Sequence, residues 1–263
     1  MNAEPQDGTV GKALSVLDAV AEKGGPVRFA ELLADSDLPK ATLYRLLQTL
    51  VSQRMLTLDA DTGTYALGPR LMRFAHAAWS IASLGPIARP HLDALSAEVD
   101  QTIHLAQLDH GQVLYLDKRN AARPISMFSD AGKIGPAYCT GVGKAMLAHL
   151  GAEALDEALA QQSWFAHTSK TRTTAEALKA DLATIRVNGF AFDDEEHEPG
   201  IICIAVPILT EAGQPLGAMS ITSSTLRHTL QELQGYAPNL IATGRAIAAE
   251  AATWRFRTPN KPH

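Results

Sequence analysis

Four leucines near the N-terminus repeat at the spacing of one helical face, and this stripe constrains the fold more than any other feature. They are Leu43, Leu46, Leu47 and Leu50. Pro39 stands ahead of them, where a first-turn proline costs nothing because that N–H would be unpaired anyway. A shorter apolar pattern in residues 28–36 and the series Val10, Leu14, Leu17 and Val20 come earlier, separated by Gly24–Gly25–Pro26. The sequence therefore predicts three successive helices, the third with a buried leucine stripe.

Two short β-prone runs follow the third helix. Leu56–Leu58 and Thr64–Leu67 flank a turn rich in Asp, Thr and Gly, which is typical of a hairpin. Three helices and a hairpin make a winged helix-turn-helix, which we assign to residues 1–68. Residues 69–85 are helical in pattern and are interpreted as a linker helix.

The third helix has the chemistry of a DNA reader. From Leu38 through Leu58 the chain carries three basic residues and no acid. Arginine can pair with guanine and glutamine with adenine, whereas lysine, threonine and tyrosine suit phosphates. The predicted DNA-binding residues are Arg28, Lys40, Thr42, Tyr44, Arg45 and Gln48. The alternative is a solvated amphipathic helix in an ordinary helical domain, but the wing and the acid-free face favour DNA.

The rest of the chain mixes strands with separate helices. This order predicts an α+β domain around an antiparallel sheet, assigned to residues 86–256, with a disordered tail at 257–263. With 46% hydrophobic residues the chain can bury a sizeable core, and its net charge of −5 excludes a generally basic nucleic-acid coat. Two cysteines and no long apolar stretch indicate a soluble cytoplasmic protein without disulfides or a membrane partner.

The segment CTGVGKAML, residues 139–147, resembles a phosphate-binding loop at first sight. The pattern requires a glycine where Tyr138 stands and a hydroxyl residue where Ala145 stands, so nucleotide binding is not expected. A glycine-rich turn that leads into a helix can instead hold a small carboxylate with its free N–H groups. Close packing of the helix on a strand is an equally good explanation of the glycines.

The chain resembles the IclR family of bacterial transcriptional regulators. The segments that carry the resemblance are GKALSVLDAV, LPKATLYRLLQTL, YCTGVGKAMLAHL, GFAFDDEEHEPGIICIAVPIL and GAMSITSS. The most specific block is Gly189, Asp193, Glu196, Cys203, Ala205 and Ile208, and the chain departs from the family at Leu209–Thr210. The resemblance implies a dimer or dimer of dimers, with a winged helix and a GAF/PAS-like effector-binding domain.

The resemblance also implies the residues of an effector pocket. They are Met127, Gly141, Val142, Asp193, Cys203, Ser220 and Thr222. The residues themselves agree in part, because Ser220 and Thr222 are two apart on one strand and face the same side. Such a pocket offers N–H and O–H donors without a lysine, which suits a small organic acid.

Other features allow rival functions. The run DDEEHEP, residues 193–199, is interpreted as an exposed acidic loop rather than a metal cluster. His104 either faces the pocket or is a structural histidine, and a Cys203–His104 nucleophile pair would make the C-terminal domain an enzyme. No oxyanion hole or third catalytic group is recognisable, so no catalysis is expected.

The sequence thus predicts a ligand-responsive transcriptional regulator of a catabolic operon that binds double-stranded operator DNA and a small organic-acid effector. A sugar acid or a short hydroxy or oxo acid is the first choice of ligand, and an aromatic acid is the second, with Met127, Phe128 and Tyr138 as an apolar wall. No cofactor or metal is expected. The alternative is a metabolite-binding protein or enzyme that acts through the C-terminal domain alone.

Overall fold

The computed structural model describes residues 8–82 and 84–253. The chain divides into two compact units, with the boundary between residues 80 and 81. The predicted tail at residues 257–263 and the first seven residues lie outside the described part of the chain.

The N-terminal unit is the predicted three-helix fold with a wing. Its elements are α1 (Thr9–Glu22), β1 (Val27–Arg28), α2 (Phe29–Ala34), α3 (Lys40–Ser52), β2 (Leu56–Asp59) and β3 (Thr64–Leu67), followed by α4 (Pro69–Ala82). All four leucines of the stripe are buried on α3. Pro39 is the N-cap of α3 rather than its first helical residue. Val10 and Leu14 are exposed on α1, because the buried face of that helix consists of Val16, Leu17 and Val20 instead.

The sequence pattern did not predict β1, a two-residue strand that pairs with β3. The three strands form an antiparallel sheet in the order β1-β3-β2. A strand this short has no periodicity of its own, so only its pairing partner reveals it. The pairing of Arg28 with Thr64 ties the start of α2 to the wing.

The C-terminal unit is an α+β domain. Its elements are α5 (Gly85–Val99), β4 (Thr102–Asp109), β5 (Gln112–Arg119), β6 (Ile134–Pro136), α6 (Gly141–Leu147), α7 (Ala152–Ala160), α8 (Ala175–Asn188), β7 (Ala191–Asp194), β8 (Ile201–Leu209), β9 (Pro215–Ser224), α9 (Leu230–Gln234) and α10 (Ala237–Thr253). The short elements β6, α7 and α9 were not predicted. Pro238 stands in the first turn of α10, where a proline is tolerated because its N–H would have no helical partner.

A six-stranded sheet with the strand order β6-β5-β4-β9-β8-β7 is the centre of this unit, and each neighbouring pair is antiparallel. Alternate residues of β8 point to opposite faces. Ile202, Ile204 and Val206 pack in the core with α5 and α10, whereas Ala205 packs with α6 and α8. Cys203 and Ala205 therefore alternate with the branched residues along β8. The α6 side of the sheet therefore carries the small and polar side chains.

Candidate functional site

The exposed face of α3 carries the residues predicted to read DNA. Tyr44 and Arg45 are exposed and lie opposite the leucine stripe. Lys40 and Thr42 flank the stripe, and Thr42 is half-buried. Gln48 is half-buried. The exposed Arg45 is therefore better placed to reach a base edge than Gln48.

The hairpin of β2 and β3 has a well-defined tip. Asp59 accepts hydrogen bonds from the backbone N–H groups of Asp61 and Thr62, at 2.8 and 3.2 Å. Gly63 has a φ of +67°, a conformation that favours glycine at this turn. Arg28 is exposed at the end of β1, in the same unit as α3, so its guanidinium is accessible to a DNA phosphate.

The predicted effector residues meet at one cavity on the α6 side of the large sheet. Six of the seven line it: Gly141, Val142, Asp193, Cys203, Ser220 and Thr222. The remaining lining residues are His104, Tyr115, Ser129, Thr140, His197, Glu198 and Ile201. Met127 is half-buried and does not belong to the lining. The cavity holds only about 30 Å³, the space of one water molecule, so any organic ligand must widen it.

One wall of the cavity is a cluster of hydroxyl groups around His104. Ser220 and Thr222 are buried on β9, and their hydroxyl oxygens are 3.4 Å apart. His104 pairs with Ser220 in register across β4 and β9. The histidine faces the pocket, and burial lowers its pKa to about 3, so the ring is neutral at pH 7. This wall offers hydroxyl donors and carries no formal charge.

Asp193 forms the opposite polar wall at the end of β7. One of its carboxylate oxygens accepts a hydrogen bond of 2.8 Å from the backbone N–H of Glu196, which folds the following turn. Burial, followed by the nearby negative charge of Glu196, raises the pKa of Asp193 to about 7. A neutral carboxyl group is a hydrogen-bond donor, so at pH 7 Asp193 can both donate and accept.

Gly141 is required where α6 approaches β8. A methyl group on this residue would lie 2.5 Å from Cys203 Sγ and 3.2 Å from the side chain of Ala205. Close helix-to-strand packing therefore explains this glycine, while its backbone still lines the cavity. Burial raises the pKa of the Cys203 thiol, so it is not a thiolate nucleophile at neutral pH.

Lys144 does not serve as a phosphate-binding lysine. Its side chain is buried, with Nζ 2.5 Å from Glu196 and 3.0 Å from Asp181. Arg172 adds a second cation, 2.9 Å from Glu196 and 3.3 Å from Asp181. The expectation that residues 193–199 form an exposed acidic loop is wrong in part, because Glu196 and Asp193 are buried. No local sequence pattern predicts these ion pairs, since their members are far apart along the chain.

Aromatic residues close the outer side of the cavity. His197 lines it and stacks edge-on against Phe128 and His167, at centroid distances of 5.2 and 4.8 Å. Tyr138 is not part of the lining, because it packs on Trp164 and donates a hydrogen bond to the carbonyl of Phe165. Of the three residues expected to form an apolar wall, only Phe128 lies beside a lining residue.

In the described parts of the chain, no helix has both the length and the apolar character needed to cross a bilayer.

A winged helix-turn-helix unit followed by an α+β unit with a polar cavity defines a DNA-binding transcriptional regulator. The comparisons with known proteins give the family. Residues 9–60 match the IclR helix-turn-helix domain, and residues 76–249 match the domain described as bacterial transcriptional regulator IclR C-terminal. The chain therefore belongs to the IclR family, as the sequence motifs indicated.

Named relatives span almost the whole chain. The Pca regulon regulatory protein of Pseudomonas putida is 32% identical over 241 residues, which cover 91% of this chain and 82% of that protein. The HTH-type transcriptional regulator KdgR of Escherichia coli K12 is 30% identical over 239 residues, covering 91% and 90% of the two chains. The crystal structure of the Thermotoga maritima IclR has a TM-score of 0.77 at 27% identity and covers 92% of this chain and 98% of its own. These relatives are regulators, not enzymes.

Proposed function

We propose that this protein represses a catabolic operon and responds to a small carboxylic acid bound in the cavity between α6 and the large sheet. The observation that carries the proposal is the convergence of six sequence-predicted effector residues on one buried, polar cavity. A sugar acid or a short hydroxy or oxo acid is the first choice of ligand, and an aromatic acid is the second.

The walls of the cavity supply hydrogen-bond donors, so they suit an anion that has few hydrogen-bond donors of its own. Ser220 and Thr222 supply hydroxyls, and the backbone at Gly141 and Val142 supplies N–H groups near the start of a helix. Hydrogen bonds to a charged group contribute roughly 1.5–3 kcal/mol each, so a few of them suffice for micromolar affinity. Lys144 is not needed, because Glu196 and Asp181 already hold its charge.

The size of the cavity favours the short acid over the aromatic one. An aromatic ring requires much more space than about 30 Å³ and an apolar wall beside it. Met127 and Tyr138 do not provide that wall. An acid of a few carbon atoms needs a smaller displacement of the residues at the mouth of the cavity.

The DNA-binding role rests on the exposed face of α3. We assign residues 1–68 to the DNA-binding domain, 69–85 to a linker helix and 86–256 to the effector-binding domain. A dimer, or a dimer of dimers, would place one recognition helix in the major groove at each half of an inverted repeat. Effector binding regulates such a protein only if it favours one arrangement of the two readers over another.

The pocket is tested with the double substitution Ser220→Ala and Thr222→Val. Thermal-shift and calorimetric titrations with acetate, glycolate, glyoxylate, gluconate and 4-hydroxybenzoate identify the acid class. The double variant should bind the preferred acid at least tenfold more weakly, since each lost hydrogen bond to a charge is worth about 1.5 kcal/mol or more. Ser223→Ala is the matched control, because Ser223 lies on the same strand and bonds to His228 instead. Unchanged affinity in the double variant would remove the pocket assignment.

The DNA reader is tested with Arg45→Ala, on an operator selected by the wild-type protein from random duplexes. Loss of a base contact should weaken binding roughly 10- to 100-fold and relax sequence preference at one position of each half-site. Lys179→Ala removes an exposed positive charge from the C-terminal unit and serves as the control. Wild-type affinity of Arg45→Ala for the operator would refute the assignment of α3.

A further inference from the structure

Among the residues that the structure describes, one side chain of the cavity has both ring nitrogens within hydrogen-bonding distance of hydroxyl groups. This side chain is His104. Its Nε2 is 2.9 Å from the Ser129 hydroxyl. Its Nδ1 is 3.3 Å from the Thr222 hydroxyl and 3.5 Å from that of Ser220. The ring is almost completely buried, with 2% of the residue exposed. It therefore lies between the proposed ligand donors on one side and Ser129 on the other.

The ring carries one N–H at neutral pH. Burial, and then the positive charge of Lys118, lowers the pKa of His104 to about 3. A neutral imidazole has one donor nitrogen and one acceptor nitrogen, and a hydroxyl group can satisfy either. Both tautomers are thus compatible with the hydrogen bonds in this cluster.

The O–H bonds of Ser220 and Thr222 point in different directions in the two tautomers. With the proton on Nδ1, the ring donates to Thr222 or Ser220, and the protons of both hydroxyls are free to point into the cavity. With the proton on Nε2, the ring donates to Ser129, and Nδ1 accepts a proton from Thr222 or Ser220. In that second state at least one hydroxyl donor is turned away from the cavity.

We propose that His104 is a positioning residue that exchanges between these two tautomers, so that a bound carboxylate selects the Nδ1–H form and thereby changes the hydrogen bond to Ser129. The proposal rests on the proposed function, since it takes a carboxylate as the occupant of the cavity. A carboxylate has acceptor oxygens only, so it binds the state in which both hydroxyls donate to it.

Ser129 extends this link to the mouth of the cavity. It lies in the segment between β5 and β6, and its carbonyl accepts a hydrogen bond of 2.8 Å from Lys118 Nζ. The backbone N–H of the adjacent Phe128 donates to Glu198 at 2.8 Å, and Glu198 also lines the cavity. When the donor of the hydrogen bond between His104 and Ser129 changes, the change therefore affects the segment between β5 and β6 at the mouth of the cavity.

The first test needs no ligand. Two-bond nitrogen–proton spectra of protein labelled with ¹⁵N-histidine report the tautomer of each ring at pH 7, and the signal absent from His104→Gln assigns His104. Ser129→Ala should favour the Nδ1–H form, because it removes the hydroxyl acceptor at 2.9 Å from Nε2 and leaves only the backbone of Ser129 beside that nitrogen. Ser220→Ala with Thr222→Val should favour the Nε2–H form for the same reason at Nδ1. Each change should alter the tautomer ratio about fivefold or more, since a buried donor that loses its acceptor is destabilised.

Ser223→Ala is the control, because Ser223 lies on β9 but bonds to Nδ1 of His228 at 2.8 Å. It should change the spectrum of His228 and leave that of His104 unaltered. If neither the Ser129 variant nor the double variant changes the tautomer of His104, the proposal is overturned, whatever the protein binds.

The second test uses glycolate as the probe. Addition of glycolate to the wild-type protein should convert His104 to the Nδ1–H form, and Ser129→Ala should bind glycolate at least as tightly as the wild type. Thermal stabilisation by glycolate without a change of tautomer would refute the link. If glycolate does not stabilise the protein, this counts against a short hydroxy acid as the effector, while the ligand-free spectra still decide the role of His104.

Discussion

Asp193 provides the sharpest test of the electrostatics of the cavity. Its folded-state pKa of about 7 lies above the ordinary value of 3.8, because the carboxylate is buried and lies close to Glu196. The folded protein therefore keeps a proton that the unfolded chain releases between these two pH values. Stability conferred by the neutral form is fully present below about pH 3.8 and is lost as the pH rises towards 7.

Asp193→Asn removes this titration. The amide oxygen can still accept the backbone N–H of Glu196, which the carboxylate accepts at 2.8 Å. Each pH unit within the window is worth about 1.36 kcal/mol. Between about pH 5 and pH 7, the wild type should lose roughly 2.3 kcal/mol of folding free energy relative to the variant, because the slope falls as Asp193 ionises near pH 7. At about 2–4 °C per kcal/mol for a chain of this size, the difference in Tm should grow by roughly 5–9 °C.

The assay is urea or thermal unfolding of both proteins across this pH range, monitored on the transition of the C-terminal unit. Titrating groups that do not interact with Asp193 cancel in the difference between the two proteins. Asp194→Asn is the control, because it removes a neighbouring carboxylate that is 45% exposed and pairs with Lys170 at 2.9 Å. A difference between wild type and Asp193→Asn that stays constant with pH would refute the argument from burial.

Three further substitutions test the packing around the two sites. Lys144→Met removes the cation closest to the buried Glu196 carboxylate and leaves Arg172 beside it, so it should lower the free energy of unfolding by up to about 3–5 kcal/mol in urea titrations. Gly141→Ala places a methyl group 2.5 Å from Cys203 Sγ and should abolish acid binding in calorimetry while operator binding persists. Leu47→Ala creates a cavity in the N-terminal core and should destabilise that unit by about 2–5 kcal/mol in thermal unfolding, which also lowers the temperature at which DNA binding fails.

The N-terminal unit could be predicted almost completely from the sequence, because its information is local. A leucine stripe, a break at glycine and proline, and a turn-flanked pair of β-prone runs each act over a few residues. Val10 and Leu14 follow the helical spacing of α1, but both are exposed. An apolar residue at helical spacing indicates a helix, but the position of the neighbouring helices decides which face is buried.

The cavity could be predicted only in part. Strand alternation placed Ser220 and Thr222 on one face, and the family motif supplied Gly141 and Asp193. Ser129 had no such signal, because its role depends on an irregular segment that returns to β4. Lys144 and Glu196 are 52 residues apart, and no local pattern links two charges at that distance along the chain. Contacts of this kind are created by the tertiary fold, so the sequence alone did not reveal them.

The small volume of the cavity has a thermodynamic consequence for regulation. A site with space for one water molecule cannot admit an acid unless the residues at its mouth move. One of these residues, Glu198, accepts a hydrogen bond from the Phe128 N–H and so holds the segment that carries Phe128. Ligand binding and displacement of that segment are then one linked equilibrium, and a substitution that frees the segment should raise the apparent affinity. Glu198→Gln weakens the bond to the Phe128 N–H from a charged to a neutral one. It should therefore bind the effector more tightly than the wild type in calorimetry, and weaker binding would show that the segment contributes contacts rather than a barrier.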